Sequence, residues 1–245
     1  MKQGLFTITE NVALTKTVYR MRLAGDTSDI TASGQFVNIL LDGFYLRRPI
    51  SVCDSADGLL TIVYKVVGKG TEKMSAMQVG ENLDILTGLG NGYDLSEAGD
   101  APLLIGGGVG VPPMYLLAKK LIAEGKKVSV ILGFNTKDEI FYENEFKALG
   151  ANVTVATADG SYGVKGFVTD AMKDIAYSYF YTCGPEPMLK AVWKTSNTSG
   201  QFSFEERMGC GFGACMGCSC KTLVGNKRIC KDGPVLRKEE ILWEN

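Results

Sequence analysis

The first hundred residues alternate apolar and polar positions over short segments, the pattern of strands with one buried face. Clusters of Gly, Asp, Asn and Ser separate these segments. The predicted strands cover residues 6–8, 18–23, 36–41, 50–52 and 59–67. A short helix is predicted over residues 70–77, with Thr71 as its N-cap. Regularly spaced short strands predict a small barrel or sandwich, and we assign residues 1–99 to an antiparallel β-barrel domain.

The pattern changes at Ala101, where compact apolar strands begin to alternate with helical stretches. Strands are predicted over residues 103–105, 128–132, 153–156 and 177–181, and helices over 112–124, 140–149, 166–175 and 187–194. This alternation predicts a central α/β domain with a parallel sheet, residues 100–200. A second change near residue 200 leaves a small C-terminal domain, residues 201–245.

Two glycine-containing turns follow strands of the central segment. Their residues are Gly106, Gly107, Gly108 and Gly110 in the first turn and Thr182, Cys183 and Gly184 in the second. Ligands bind at the carboxyl ends of parallel strands, and free N–H groups at a helix start favour a pyrophosphate. The first turn does not meet the G-x-G-x-x-G fingerprint, so a plain tight turn is the alternative. Together the turns predict one shared crevice, which Cys183 either lines or supports as a buried thiol.

An arginine and a serine lie three residues apart in the segment Arg47-Arg48-Pro49-Ile50-Ser51. The Arg48 guanidinium is suited to binding a phosphate, and the Ser51 hydroxyl can donate a further hydrogen bond. The alternative is a surface charge pair beside a strand.

Five of the seven cysteines lie within 21 residues near the C-terminus, and they are Cys210, Cys215, Cys218, Cys220 and Cys230. The spacing C-x4-C-x2-C with a more distant fourth cysteine is typical of plant-type [2Fe–2S] proteins. We predict Cys210, Cys215, Cys218 and Cys230 as ligands, and Cys220 as a bystander that could replace Cys218. A zinc site with four thiolates is the alternative.

A β-hairpin explains how the distant fourth cysteine reaches the others. Strands are predicted over residues 221–224 and 227–230, on either side of a two-residue turn at Gly225-Asn226. Such a hairpin would bring Cys230 back toward Cys218.

Composition narrows the class of protein. Hydrophobic residues make up 45% and charged residues 22% of the chain, as in folded globular proteins. The net charge of -1 argues against nucleic acid as a partner. The absence of a long apolar run and of a signal peptide predicts a cytoplasmic protein with no membrane segment. The chain has no histidine, which excludes imidazole acid–base chemistry and histidine-ligated zinc.

In their order and spacing these motifs resemble the ferredoxin–NADP reductase superfamily. Within it, the chain is most similar to the electron-transfer subunits of heteromeric, NAD-dependent dihydroorotate dehydrogenases. The resemblance covers the whole chain and rests on Arg48–Ser51, Val63-Tyr64-Lys65 with Gly70-Thr71, the two glycine turns, and the cysteine loop.

The resemblance implies a cofactor for each domain. The barrel would bind FAD, the α/β domain NAD, and the C-terminal loop a [2Fe–2S] cluster. The residues implied for FAD are Arg48, Pro49, Ile50, Ser51, Val63, Tyr64, Lys65, Gly70 and Thr71. The residues implied for NAD are Gly106, Gly107, Gly108, Gly110, Thr182, Cys183 and Gly184.

The resemblance also implies a partner and a reaction. The partner would be an FMN-containing dihydroorotate dehydrogenase catalytic subunit, forming a heterotetramer of two plus two subunits in pyrimidine biosynthesis. Electrons would run from FMN through the cluster to FAD, and then as hydride to NAD+. This oxidoreductase subunit would need no catalytic acid or base. The cluster segment would lie at the subunit interface.

Two other functions share parts of this pattern. One is the small flavin and [2Fe–2S] subunit of an NADH-dependent ferredoxin:NADP oxidoreductase. The other is a non-catalytic binding module stabilised by zinc. NAD is preferred to NADP because the segment 133–139 contains no arginine to hold a 2′-phosphate, although Lys137 could do so.

Overall fold

The computed structural model describes residues 1–243, and its N-terminal part is a closed barrel of six antiparallel strands in the order β1-β2-β5-β4-β3-β6. The strands are β1 (Lys2–Ala13), β2 (Val18–Ala24), β3 (Phe36–Leu40), β4 (Arg48–Ala56), β5 (Leu59–Lys65) and β6 (Asn82–Leu89). The predicted barrel is therefore confirmed, and the closing strand β6 is an element that the sequence analysis missed.

Alternation along each strand determines which side chains fill the barrel. In β3, Val37 and Ile39 belong to the barrel core. Phe36 and Asn38 alternate with them, and yet both are also buried. Phe36 packs in a different core cluster, together with Cys218 and Cys230. The outer face of β3 is therefore covered by the C-terminal part of the chain.

The helix α1 (Lys69–Ala76) follows β5, and its cap differs from the prediction. The N-cap is Gly68, and Thr71 is the third helical residue. The Thr71 hydroxyl accepts hydrogen bonds from the backbone N–H groups of Val67 and Gly68, at 3.0 and 3.3 Å. The helix begins at Lys69, so Thr71 lies inside its first turn and not at the N-cap. From there its side chain stabilises the helix start.

The central part is a seven-stranded sheet in the order β10-β9-β8-β7-β11-β12-β15, parallel except for its last pair. Its strands are β7 (Pro102–Gly107), β8 (Ser129–Phe134), β9 (Asn152–Thr157), β10 (Val164–Lys165), β11 (Tyr179–Cys183), β12 (Gly200–Ser203) and β15 (Val235–Arg237). The helices are α2 (Pro112–Ala123), α3 (Glu143–Ala148), α4 (Val168–Met172) and α5 (Glu186–Thr195). The predicted parallel α/β sheet is confirmed.

Some element boundaries differ from the prediction. The helix predicted from residue 140 begins at Glu143, because Tyr142 adopts a left-handed backbone conformation with φ of 67°. The proposed domain boundary after residue 200 falls inside β12. Residues 201–245 also contribute β15 to the central sheet.

The predicted hairpin near the C-terminus exists, but its register differs. Its strands are β13 (Ser219–Thr222) and β14 (Gly225–Arg228), so Leu223 and Val224 form the turn instead of Gly225 and Asn226. The Thr222 hydroxyl donates to the Gly225 carbonyl at 2.6 Å and accepts from the Val224 N–H at 3.3 Å. A threonine side chain thus closes the turn, in place of the Gly-Asn pair that the sequence predicts.

The barrel and the sheet are packed against each other along α2. Lys119 on this helix forms an ion pair with Asp54 of β4, at 3.0 Å. None of the helices in the described part of the chain has the length and hydrophobicity that a bilayer span requires.

Candidate functional site

A cleft of about 550 Å³ separates the barrel from the carboxyl ends of the sheet strands. The barrel lines it with Thr15, Thr17, Val18 and Lys65, and the sheet lines it with parts of both glycine turns. The two turns therefore share one crevice, at the place where parallel α/β sheets bind ligands.

The two turns pack directly on each other, which explains their glycines. A Cβ atom on Gly110 would lie 2.2 Å from the carbonyl oxygen of Cys183. A Cβ atom on Gly107 would lie 2.4 Å from the sulfur of Met188. At Gly110 the close atoms belong to the backbone, so only glycine allows this approach. The approach leaves backbone N–H groups at the cleft surface for an anionic ligand.

The predicted residues of these turns fall into two groups. Gly107, Gly108, Gly110 and Gly184 line the cleft. The remaining residues are buried behind this surface, and they are Gly106, Thr182 and Cys183. Burial raises the pKa of the Cys183 thiol to about 12, so this cysteine is neutral at physiological pH and packs as a small apolar side chain.

Arg48 lies on the barrel surface beside the start of α1. Its guanidinium stacks over the Phe44 ring, 4.7 Å from the ring centroid. A Cβ atom on Gly70 would lie 2.3 Å from the Arg48 Nε, so the two predicted cofactor residues are in direct contact. Tyr45, Leu46 and Val67 expose large apolar side chains on the same two segments. A positive charge beside uncovered apolar surface suits a flavin with its phosphates.

The residues Val63-Tyr64-Lys65 do not all face the cleft. Tyr64 is inside the barrel core, and its hydroxyl donates to Asn11 Oδ1 at 3.1 Å. Val63 is buried against the α/β core, whereas Lys65 is exposed and lines the cleft. Of these three side chains, Lys65 is therefore the one that can reach a bound cofactor.

The four predicted cysteine ligands form two pairs. Cys210 and Cys215 are joined by two reciprocal hydrogen bonds, in which the backbone N–H of each residue donates to the sulfur of the other at 3.4 Å. In the second pair, the Cys230 N–H donates to the Cys218 sulfur at 3.4 Å. The Ile229 N–H also donates to the Cys218 carbonyl, at 3.1 Å, so the hairpin brings Cys230 to Cys218 as predicted.

Cys210 and Cys230, one from each pair, differ in their acidity. Desolvation raises the pKa of Cys210, but hydrogen bonds from the backbone of Phe212, Cys215 and Ala214 outweigh it and lower the pKa to about 6. Desolvation and the neighbouring Cys218 raise the pKa of Cys230 to about 12.

The pairing of the four cysteines bears on which metal group they could hold. A zinc site brings four ligands to one tetrahedral centre. Two separate cysteine pairs instead suit a cluster in which each iron takes two thiolates.

In the part of the chain that the structure describes, Cys220 takes no part in the hydrogen bonds that join the cysteines of the two pairs. It lines a separate hollow of about 290 Å³ together with Phe204 and Trp243. Desolvation raises the pKa of its thiol. The geometry therefore favours Cys218 over Cys220 as the third member of the ligand set.

Matches to known proteins agree with this geometry. The family model described as the iron-sulfur cluster binding domain of dihydroorotate dehydrogenase B matches residues 205–242, and the oxidoreductase NAD-binding domain matches residues 104–194. The dihydroorotate dehydrogenase B (NAD(+)) electron transfer subunit of Fusobacterium nucleatum is 44% identical over 251 residues, which cover 96% of each chain. That of Bacillus pumilus is 42% identical over 255 residues, covering 98% of each chain.

The chain belongs to the family of dihydroorotate dehydrogenase B electron transfer subunits. This membership confirms the resemblance inferred from the sequence and the predicted class, an electron-transferring oxidoreductase subunit. It also confirms FAD, a [2Fe–2S] cluster and NAD as the predicted cofactors, and it implies a catalytic partner subunit.

Solved structures place the electron transfer subunit fold among the ferredoxin reductases. The structure of an NADH-dependent reduced ferredoxin-NADP oxidoreductase, described for flavin-based electron bifurcation, is 32% identical with a TM-score of 0.89. The match covers 98% of this chain and 90% of that chain. A ferredoxin NADP+ reductase from Neisseria gonorrhoeae with bound FAD and NADP shares the fold at 17% identity, with a TM-score of 0.70 and coverage of 80% and 90%.

Three residues of this electron transfer subunit escaped the sequence analysis. Glu139 and Glu205 line the cleft, and desolvation raises the pKa of Glu205. Asn38 of the barrel donates to the carbonyl of Cys210 at 3.2 Å. None of them stands in a motif, and a cleft or a contact between distant segments gives no local pattern in the sequence.

Proposed function

We propose that this chain takes electrons from the catalytic subunit of a dihydroorotate dehydrogenase B and delivers them to NAD+. The partner would carry FMN and oxidise dihydroorotate to orotate, while NAD+ becomes NADH with release of one proton. We propose an assembly of two chains of each kind. We also propose a cytoplasmic location, because none of the seven cysteines, all within the described residues, forms a disulfide.

One observation carries this proposal: a single barrel adjoins all three candidate cofactor sites. Its strand β4 carries Arg48–Ser51, and Lys65 at the end of β5 lines the nucleotide cleft. The outer face of β3 contacts the cysteine loop through Asn38 and Cys210. An arrangement of this kind would hold FAD, NAD and the [2Fe–2S] cluster close to one another.

The proposed roles of the three segments follow from their contacts. Residues 1–99 would hold FAD, with Arg48 on its phosphates and Gly70 leaving room beside the guanidinium. Residues 100–200 would hold NAD, with the N–H groups around Gly107, Gly108 and Gly184 facing the pyrophosphate. Residues 201–245 would hold the cluster.

Within the cluster segment, we assign Cys210 and Cys215 to one iron and Cys218 and Cys230 to the other. When bound, FAD exchanges a hydride with nicotinamide and single electrons with an iron–sulfur cluster. The chain's own residues bind and orient these groups.

The cleft supports NAD in preference to NADP. Glu139 lines it after β8, where an acidic side chain suits a ribose hydroxyl and repels a 2′-phosphate. The Glu139 carboxylate is fixed there, because Asn135 donates to it through its side-chain amide at 2.9 Å.

A second candidate function is that of the small flavin and [2Fe–2S] subunit of an NADH-dependent ferredoxin:NADP oxidoreductase. A match at 32% identity over nearly the whole chain supports it, whereas 44% identity to a dihydroorotate dehydrogenase B subunit favours the first. Purified complex that reduces NAD+ with dihydroorotate, and not with reduced ferredoxin, would select the first function.

The electron path is tested by Cys215→Ser, with Cys220→Ser as the matched control. In the Cys215→Ser complex, NADH-dependent reduction of an artificial dye at the flavin is expected to survive largely intact. Dihydroorotate-dependent NAD+ reduction is expected to fall at least tenfold, because the first cysteine pair is broken. The Cys220→Ser complex should retain both activities. Unchanged coupled turnover in Cys215→Ser would contradict the proposed path.

A further inference from the structure

A buried amide lies on the outer wall of the barrel, under the cysteine loop. Asn38 is in the middle of β3, on the face that points away from the barrel core, and only 1% of its surface is exposed. Phe36, two residues earlier on the same face, packs in the apolar cluster that contains Cys218 and Cys230. If the residue at position 38 contributed only to packing, an apolar side chain would be expected there.

The Asn38 side chain contacts the backbone of the cysteine loop at its first ligand. Its Nδ2 donates to the Cys210 carbonyl at 3.2 Å. The next residue, Gly211, has a φ of 77°, and a Cβ atom there would lie only 2.2 Å from the same nitrogen. The loop backbone therefore rests directly on this amide, and a glycine is required to permit the contact.

The backbone of Asn38 is tied to the segment assigned to FAD. In the barrel register, Asn38 pairs with Pro49, the second residue of Arg48–Ser51. Its carbonyl accepts a hydrogen bond from Arg47 Nη1 at 3.2 Å, and Arg47 forms an ion pair with Asp84 at 2.8 Å. One residue thus connects the flavin segment to the loop of the first cysteine pair through short and rigid contacts.

The other half of the amide makes no such contact. Asn38 Oδ1 is buried and has no hydrogen-bond partner in the part of the chain that the structure describes. The amide orientation is fixed chemically, because the Cys210 carbonyl can only accept and must face the NH₂ group. An unpaired buried oxygen reduces stability, so this amide is better explained by what its nitrogen holds than by a contribution to folding.

We propose that Asn38 is a positioning residue that fixes the first cluster ligand relative to the flavin-binding strand, and thereby sets the rate of electron passage between FAD and the cluster. This inference rests on the proposed function. Outer-sphere hydrogen bonds to ligand segments typically change activity by about 10- to 100-fold, and a misplacement of about 1 Å can have a similar effect.

The test replaces Asn38 by Leu, which has a similar size and no donor, in the complete complex. Asn152→Leu, at an exposed position on β9, is the matched control. In Asn38→Leu, the cluster absorbance is expected to bleach about 10- to 100-fold more slowly after rapid mixing with NADH. Dye reduction at the flavin is expected to stay within twofold of wild type. The electron paramagnetic resonance spectrum of the reduced cluster is expected to show shifted g values.

The outcomes separate this inference from the proposed function. If Asn38→Leu contains full iron and flavin and its cluster bleaches at the wild-type rate with unchanged g values, Asn38 is not a positioning residue. If the wild-type complex shows no cluster that NADH can reduce, the proposed function itself fails. Should Asn38→Leu not assemble, Asn38→Ser adds no bulk, and the same slowing and spectral shift are expected of it.

Discussion

Arg47 and Arg48 are adjacent in the sequence, but their environments give them different tasks. Arg47 donates to the carbonyls of Asn38 and Asp84 at 3.2 and 3.1 Å and pairs with the Asp84 carboxylate. Arg48 stacks on Phe44 and makes one hydrogen bond to a described residue, the Leu46 carbonyl. Arg47 therefore stabilises the barrel, whereas Arg48 has guanidinium N–H groups that can bind an anion.

Substitution of the two arginines should separate cofactor binding from stability. Arg48→Leu is expected to weaken FAD binding about 10- to 100-fold, since a charge-assisted hydrogen bond contributes about 1.5–3 kcal/mol. Fluorescence titration of flavin-stripped protein measures this change. Arg47→Leu is expected to lower the melting temperature and leave the FAD affinity near wild type. Equal losses of affinity in the two variants would refute this division.

The sequence predicts residues well where the chemistry is local. The spacing of Cys210, Cys215 and Cys218 lies within nine residues, so it identifies a candidate cluster loop directly. Asn38 and Cys210 are 172 residues apart, and no short motif can report their contact. The same limit applies to the glycines of the two turns. The sequence indicates that each turn exists, but it does not indicate that the two turns pack against each other.

At the scale of elements, periodicity predicts the type of structure better than its register. Strands and helices alternate where expected from Ala101 onward, because a buried parallel strand is apolar throughout. The hairpin turn was placed two residues too late, since Gly-Asn is a common turn pair and a threonine-closed turn is less obvious. The strands β12 and β15 were missed because each gains its place from pairing with distant neighbours.

The turn of the hairpin offers a test at this scale. Thr222→Val keeps the shape of the side chain and removes two hydrogen bonds, at a cost of about 1–2 kcal/mol. For a chain of this size that corresponds to a decrease of about 2–8 °C in Tm. The control is Leu223→Ala at the exposed tip of the same turn, for which little change is expected. Equal Tm values for Thr222→Val and wild type would show that the hydroxyl does not close the turn.

At the scale of the whole molecule, the three predicted parts are more closely joined than their boundaries suggest. The C-terminal segment adds β15 to the central sheet and covers the outer face of the barrel strand β3. Asn91, just after the barrel, exchanges hydrogen bonds with the Val235 backbone at 2.8 and 3.1 Å. The sequence predicted three units in the right order, but the contacts between them depend on the folded chain.

An anaerobic reductive titration of the native protein, combined with iron and flavin assays, tests directly whether one chain carries both FAD and a [2Fe–2S] cluster. One FAD takes two electrons and one [2Fe–2S] cluster takes one, so we expect three electron equivalents and two irons per chain. NADH should bleach the same flavin and cluster bands. Uptake of two electron equivalents or fewer, or protein that contains zinc in place of iron, would contradict the presence of FAD and a [2Fe–2S] cluster in one chain.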